Sequence, residues 1–159
     1  AIKNNDIKQQ LAQAIAKDLD AVEDQLPEDF KEKFHKYRFF IEHFVNAPVV
    51  FVTLLRKDAY ISTKVVTDYN AKINKSILFD MEILGAGASI NNLLLAAESM
   101  GFGTCWMTEP IVYSQNTIEK ILEVEEEYHA VSVIVMGKPV KERKHAPKKA
   151  VDEILKIVE

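Results

Sequence analysis

The run from Gly85 to Trp106, Gly-Ala-Gly-Ala-Ser-Ile-Asn-Asn-Leu-Leu-Leu-Ala-Ala-Glu-Ser-Met-Gly-Phe-Gly-Thr-Cys-Trp, constrains this chain more than any other stretch. Five small residues, Gly85 to Ser89, let another backbone or a flat ring approach closely, at an intrinsic helix cost of about 1 kcal/mol for each glycine. The residues that follow indicate what offsets that cost. From Ile90 through Ala97 the helical pattern is apolar on nearly every face (Leu93, Leu94, Leu95, Ala96, Ala97), as in a helix enclosed by a core or a subunit interface. Gly101 suits the left-handed position just past a helix end, with Phe102 as the apolar residue that accompanies such a stop. Residues 101–106 then read as a tight apolar turn that offers a place for a flat ligand.

Upstream, Asn5 or Asp6 can cap a helix whose apolar residues Ile7, Leu11, Ala14, Ile15 and Leu19 keep helical spacing. Pro27 interrupts that pattern and can sit in the first turn of a second helix, where Phe30, Phe34, Tyr37, Phe40, Ile41 and Phe44 form an apolar stripe down to Val45. The stripe is most simply core; a lid over a substrate pocket is the sharper alternative. Asn46-Ala-Pro48 ends the helix, and Val49 to Leu55 is a continuous β-branched and apolar run, expected of a central strand covered on both faces. Residues 56–76 lack firm periodicity and read as a surface loop, with Tyr60 to Val66 as an optional short strand. The glycine-rich helix is expected over Asp80 to Met100. Ser114 or Asn116 can cap a short helix through Ile118, Ile121 and Leu122. Glu123 to Glu127 reads as a solvated turn, and Ala130 to Gly137 as a second strand, with Val131, Val133 and Val135 on one face. Pro147 onward is a terminal helix or arm carrying Val151, Ile154, Leu155 and Val158. Two strands seldom make a stable sheet, so a third is required from a weaker segment, from sequence outside this chain or from a second chain.

Composition narrows the function classes. A chain of 159 residues with 48% hydrophobic content is long enough for one real core but not two, so 1–159 reads as a single domain. A net charge of −4 argues against nucleic acid or an anionic membrane as the main partner. No apolar run approaches the roughly 18 residues of a membrane span and no signal-peptide pattern occurs, so a cytoplasmic location is expected. The single Cys105 cannot form an internal disulfide, and an apolar setting without an adjacent base makes it a poor nucleophile. His35, His43, His129 and His145 are scattered, without metal-ligand spacing, and no metal is expected. Neither a Walker loop nor a Rossmann fingerprint is present, because Gly85-Ala-Gly87 lies inside a helical pattern.

The small-residue helix with Asn92-Leu-Leu-Leu-Ala-Ala97, then Gly101-Phe-Gly-Thr-Cys-Trp106, then an apolar strand closing on Gly137-Lys-Pro139, resembles the C-terminal part of the FMN-dependent nitroreductase family. The resemblance covers Asp80 to Pro147 well; between Ala1 and Val66 it is a matter of element order. It implies an α+β sandwich, a central and mostly antiparallel sheet flanked by helices, in an intertwined homodimer held through the Asp80 to Met100 helix. The family's N-terminal Arg-Arg-Ser-x-Arg-type phosphate-binding segment and its Pro-Ser-x-x-Asn-x-Gln-Pro-Trp-type loop have no counterpart here, which implies a fragment or a shortened member.

The resemblance also implies chemistry. The cofactor is FMN, bound without a covalent link in the crevice between subunits, and the flavin itself carries the redox chemistry, so no catalytic side chain is required. Positions that meet the flavin N5 edge in the family fall on Met107, Thr108 and Glu109, while Gly103 leaves room for the ring, with Cys105 and Trp106 packed beneath it. The family's basic pair that reaches the FMN phosphate falls on Arg143 and His145, the latter a weaker and pH-sensitive substitute for arginine. Lys138, Lys141, Lys144, Lys148 and Lys149 surround that pair. The expected reaction is ping-pong transfer of electrons from NAD(P)H to an electron-poor acceptor such as a nitroaromatic or quinone. The alternatives are a relative acting on another substrate, such as a halogenated aromatic or the flavin itself, and a dimeric protein of this fold that stores flavin or lacks it and does not turn over.

Overall fold

The computed structural model describes residues 1–56, 75–114, 116–141 and 147–158, with 75–80 as helix backbone. The first helix, α1 (Asn5–Glu23), is capped one residue earlier than expected: the Asn4 side-chain oxygen accepts from the amides of Asp6 at 2.8 Å and Ile7 at 3.4 Å. Its inner face buries Leu11, Ile15 and Leu19, four apart, along with Lys8, whose ammonium donates to the Ala47 carbonyl at 2.6 Å. Pro27 stands at the N-cap of α2 (Glu28–Glu42), which continues into a 3-10 turn, His43–Asn46. Arg38 ties the two helices together, donating to Asp20, Glu23 and Glu42 at 2.6, 3.0 and 3.1 Å. Burial alone would lower the pKa of this guanidinium, but its three carboxylate partners outweigh that and raise it.

The aromatic stripe of α2 is core only in part. Phe34, Ile41 and Phe44 are buried in the main cluster, whereas Phe30, Tyr37 and Phe40 stand exposed, as does the neighbouring Phe39. The rings outnumber what one helix face can bury against α1 and the sheet. Helical spacing alone could not separate the two sets.

Three strands form one antiparallel sheet: β1 (Val49–Arg56), β2 (Gly103–Met107) and β3 (Tyr128–Gly137), in the order β1-β3-β2. The apolar run expected to be a central strand, β1, is therefore an edge among the described residues, and β3 is central. Among the described residues β1 is met on its outer side by Ile2, which exchanges 2.7 and 3.0 Å backbone bonds with Val50 and so covers part of that edge. The required third strand comes from Gly103-Thr-Cys-Trp-Met107, the segment read as a turn. The turn itself is Met100-Gly101, with Phe102 leading into the strand.

The long helix α3 (Lys75–Ser99) starts five residues before Asp80 and stops one before Met100. It ends as expected: Gly101 sits at φ +78°, the Phe102 amide donates to the Ala97 carbonyl and the Gly101 amide to that of Glu98, both at 2.9 Å. Among the described residues the helix is not enclosed. Ile90 and Ala97 are buried, while Leu84, Leu95 and Met100 are 68%, 62% and 71% exposed. Two short helices follow β2, α4 (Glu109–Tyr113) and α5 (Thr117–Ile121). Asn116 occupies the N-cap of α5 but in the left-handed region at φ 63°, with no capping bond from its side chain. The C-terminal α6 (Val151–Ile154) is a single turn whose apolar residues are all exposed. The possible strand over Tyr60 to Val66 lies outside the described residues. Among the described residues no helix is long and apolar enough to cross a membrane.

Candidate functional site

The bend that closes α3 borders a cavity of about 510 Å³, within the range typical of small-molecule sites. Its walls are residues 101–105, the end of β3 with the residues up to Lys141, and Ala47-Pro48. Antiparallel pairing sets Gly103 directly opposite Gly137. A side chain at Gly137 would meet the Pro48 ring at 3.0 and 3.2 Å, so this glycine is what lets the start of β1 close over the end of β3. At Gly103 a Cβ would find only ordinary contacts, 3.7 Å to the Gly137 carbonyl and to Pro139. The chain's own packing does not require glycine there, and the space beside it belongs to the cavity. Lys138 and Lys141 line the mouth, with the Lys138 ammonium 5.8 Å from the Phe102 ring centre. The thiol of Cys105 is exposed and lines the same cavity.

The remaining described site residues lie at the other end of β2. Met107 turns its side chain into the hydrophobic core, so it can offer a ligand only its main chain. Thr108 is exposed and precedes α4, its carbonyl accepting from the amides of Ile111 at 2.9 Å and Val112 at 3.2 Å. Glu109, half-buried, accepts a hydrogen bond from the Tyr37 hydroxyl, and that bond is the main reason the Tyr37 pKa is raised. At about 3.4 Å per residue, Gly103 and Met107 stand about 14 Å apart. A ligand that touches both ends must be elongated. Trp106 is 43% exposed, with its ring edge 3.4 Å from where a Cβ of Gly87 would be, so the small-residue stretch of α3 does admit a flat ring, the protein's own indole. Arg143, Lys144 and His145 lie outside the described residues. Pro48 is not legible as a site residue in the sequence, because it contacts the site from an element remote in the chain, whereas Tyr37 belongs to the stripe whose alternative reading is a pocket lid.

These residues fit a cofactor with a flat ring and an anionic tail: cations at one end of a strand, a cavity of adequate size and exposed main chain before α4 at the other. Among the described residues no group of histidine, cysteine, aspartate and glutamate is arranged to hold a metal.

Comparison with known proteins agrees with this architecture. The sequence pattern of the nitroreductase family matches residues 1–138. Among solved structures, a BluB-like flavoprotein from Clostridium difficile 630 superposes with a TM-score of 0.84 at 26% identity, covering 99% of this chain and 77% of that one. Iodotyrosine deiodinase bound to FMN and 3-iodo-L-tyrosine superposes at 0.63 with 18% identity, covering 94% and 70%. An NADPH:FMN oxidoreductase from Vibrio harveyi, complexed with NAD+, superposes at 0.58 with 15% identity, covering 97% and 55%. No curated protein matches the chain.

Proposed function

This chain belongs to the nitroreductase family, and on that premise we propose that it is an FMN-dependent oxidoreductase acting as a homodimer. The observation that carries the reading is the cavity of about 510 Å³ at the Gly101 bend, which is lined at its mouth by Lys138 and Lys141. Lys138, Lys141, Arg143 and His145 would serve the phosphate end of the cofactor; the main chain of Met107, with Thr108 and Glu109, would serve the N5 edge of its ring, and Gly103 would leave room for the ring. FMN is elongated in the way the separation of these two groups demands. The flavoprotein of similar structure at 26% identity supports the cofactor. When bound, FMN supplies the hydride and electron transfer, and the protein's part is to bind, orient and exclude water. NAD(P)H and an electron-poor acceptor such as a nitroaromatic or quinone would use the site in turn, in ping-pong order.

The homodimer reading rests on α3. Leu84, Ala88, Asn91 and Leu95 form one exposed stripe at helical spacing, opposite the face that carries Ile90 and Ala97. Such a surface suits a second copy of the helix, and Ala88 would permit close approach.

A visible spectrum of the purified protein tests the cofactor. Release of a yellow chromophore, or reconstitution with FMN, is expected; protein that stays colourless after incubation with FMN refutes the reading. Steady NAD(P)H oxidation on adding a nitro compound then separates turnover from flavin storage.

A further inference from the structure

A second cleft, of about 430 Å³, lies between α2 and α4 and is lined by Phe30, Lys33, Phe34, Tyr37 and Tyr113. The four α2 residues follow the spacing i, i+3, i+4, i+7, so they share one helical face. Phe34 and Tyr113 form the floor, in an edge-on contact with ring centres 5.7 Å apart. Phe30 and Tyr37 stand as half-open walls, 49% and 37% exposed. They are two of the four aromatic residues of α2 that the core does not absorb. The cation on the rim is distinctive too. On α2, Lys31, His35, Lys36 and Arg38 each face a carboxylate, whereas Lys33 has no ion-pair partner among the described residues.

The geometry points to an aromatic-anion subsite in this cleft: a flat ring held among Phe30, Phe34, Tyr37 and Tyr113, with its carboxylate or phenolate on Lys33. The opposite orientation is disfavoured, because Glu109 holds the Tyr37 hydroxyl at the α4 end and would repel an anion there. Tyr113 lies one helical turn, about 6 Å along the axis, from Glu109. The cleft therefore adjoins the Thr108-Glu109 end of β2, so an aromatic anion that also bears a reducible group, such as a nitro substituent, is a candidate electron acceptor. That link to turnover rests on the flavin reading above, but the binding does not.

The test is a titration of the full chain with 4-hydroxybenzoate, followed by backbone amide chemical shifts, with 4-hydroxybenzyl alcohol as the neutral control. Saturable shifts confined to residues 30–37 and 109–113 are expected, weaker for the neutral probe. Lys33→Ala should weaken binding of the anion about threefold to fivefold, as expected for a partly exposed ion pair, without affecting the neutral probe. Phe30→Ala should weaken both probes, and because Phe30 is half exposed the fold should tolerate its loss. Absence of saturable shifts, equal binding of both probes, or an anion affinity indifferent to Lys33→Ala overturns the inference. Shifts in protein that takes up no FMN would sustain the subsite and refute the cofactor; yellow protein without shifts would do the reverse.

Discussion

Truncating Leu95 to alanine has two very different expected outcomes, depending on what covers α3. Leu95 is 62% exposed in the single chain and Leu84 is 68% exposed. Were the chain to stay alone, either replacement would change stability by no more than about 0.5 kcal/mol, since alanine also suits a helix. In a two-fold dimer built on this stripe the exposed part of each leucine would be buried. Full burial of a leucine is worth about 1.5–3 kcal/mol, so roughly two-thirds of a side chain accounts for about 1–2 kcal/mol. A self-complementary interface uses each residue twice, which makes about 2–4 kcal/mol per substitution. The dimer dissociation constant should therefore weaken about thirtyfold to a thousandfold for Leu95→Ala, and similarly for Leu84→Ala. Sedimentation velocity over a range of protomer concentrations measures this directly, and the melting temperature should rise with concentration in the parent chain. A parent protein that sediments as one chain at every concentration, with a melting temperature indifferent to both substitutions, would refute the reasoning.

Three further outcomes follow from local geometry, each read by chemical denaturation. Gly101→Ala should cost about 1–2 kcal/mol, because φ +78° is strained for any residue with a Cβ, and Gly101→Asn should cost less. Asn4→Ala should cost about 1 kcal/mol by freeing the amides of Asp6 and Ile7, while Asn4→Asp retains most of that. Gly137→Ala should cost about 1–3 kcal/mol, since the Pro48 ring is fixed to the backbone and cannot swing aside, whereas Gly103→Ala should be nearly neutral for stability.

What could be read in advance depended on whether a signal was local. Leu11, Ile15 and Leu19 mark α1 by spacing alone, Val49 to Leu55 and the alternating valines of β3 mark two strands, and Gly101 marks its stop. The strand β2 was hidden because five residues behind a glycine neither alternate nor form a long apolar run. Among the described residues β1 lies at an edge and not at the centre, for a different reason: an apolar run reports burial, and burial can come from Ile2 and a helix layer as well as from a strand on each side. The same ambiguity governs α3, whose outer leucines look the same in sequence whether they meet a core or a second chain. At the candidate site, Gly103 lines a cavity. The direction of the Met107 side chain was not legible, because it depends on which sheet face α1 covers.

The position of Trp106 has one practical consequence. It is the sole tryptophan of the chain, set against Gly87 on the helix whose outer stripe is at issue. Nature has thus installed an intrinsic fluorophore at the spot where water would be displaced by any neighbour laid across β2 and α3. Its emission maximum and its quenching by iodide report, without a label, whether that doorway is wet or shut.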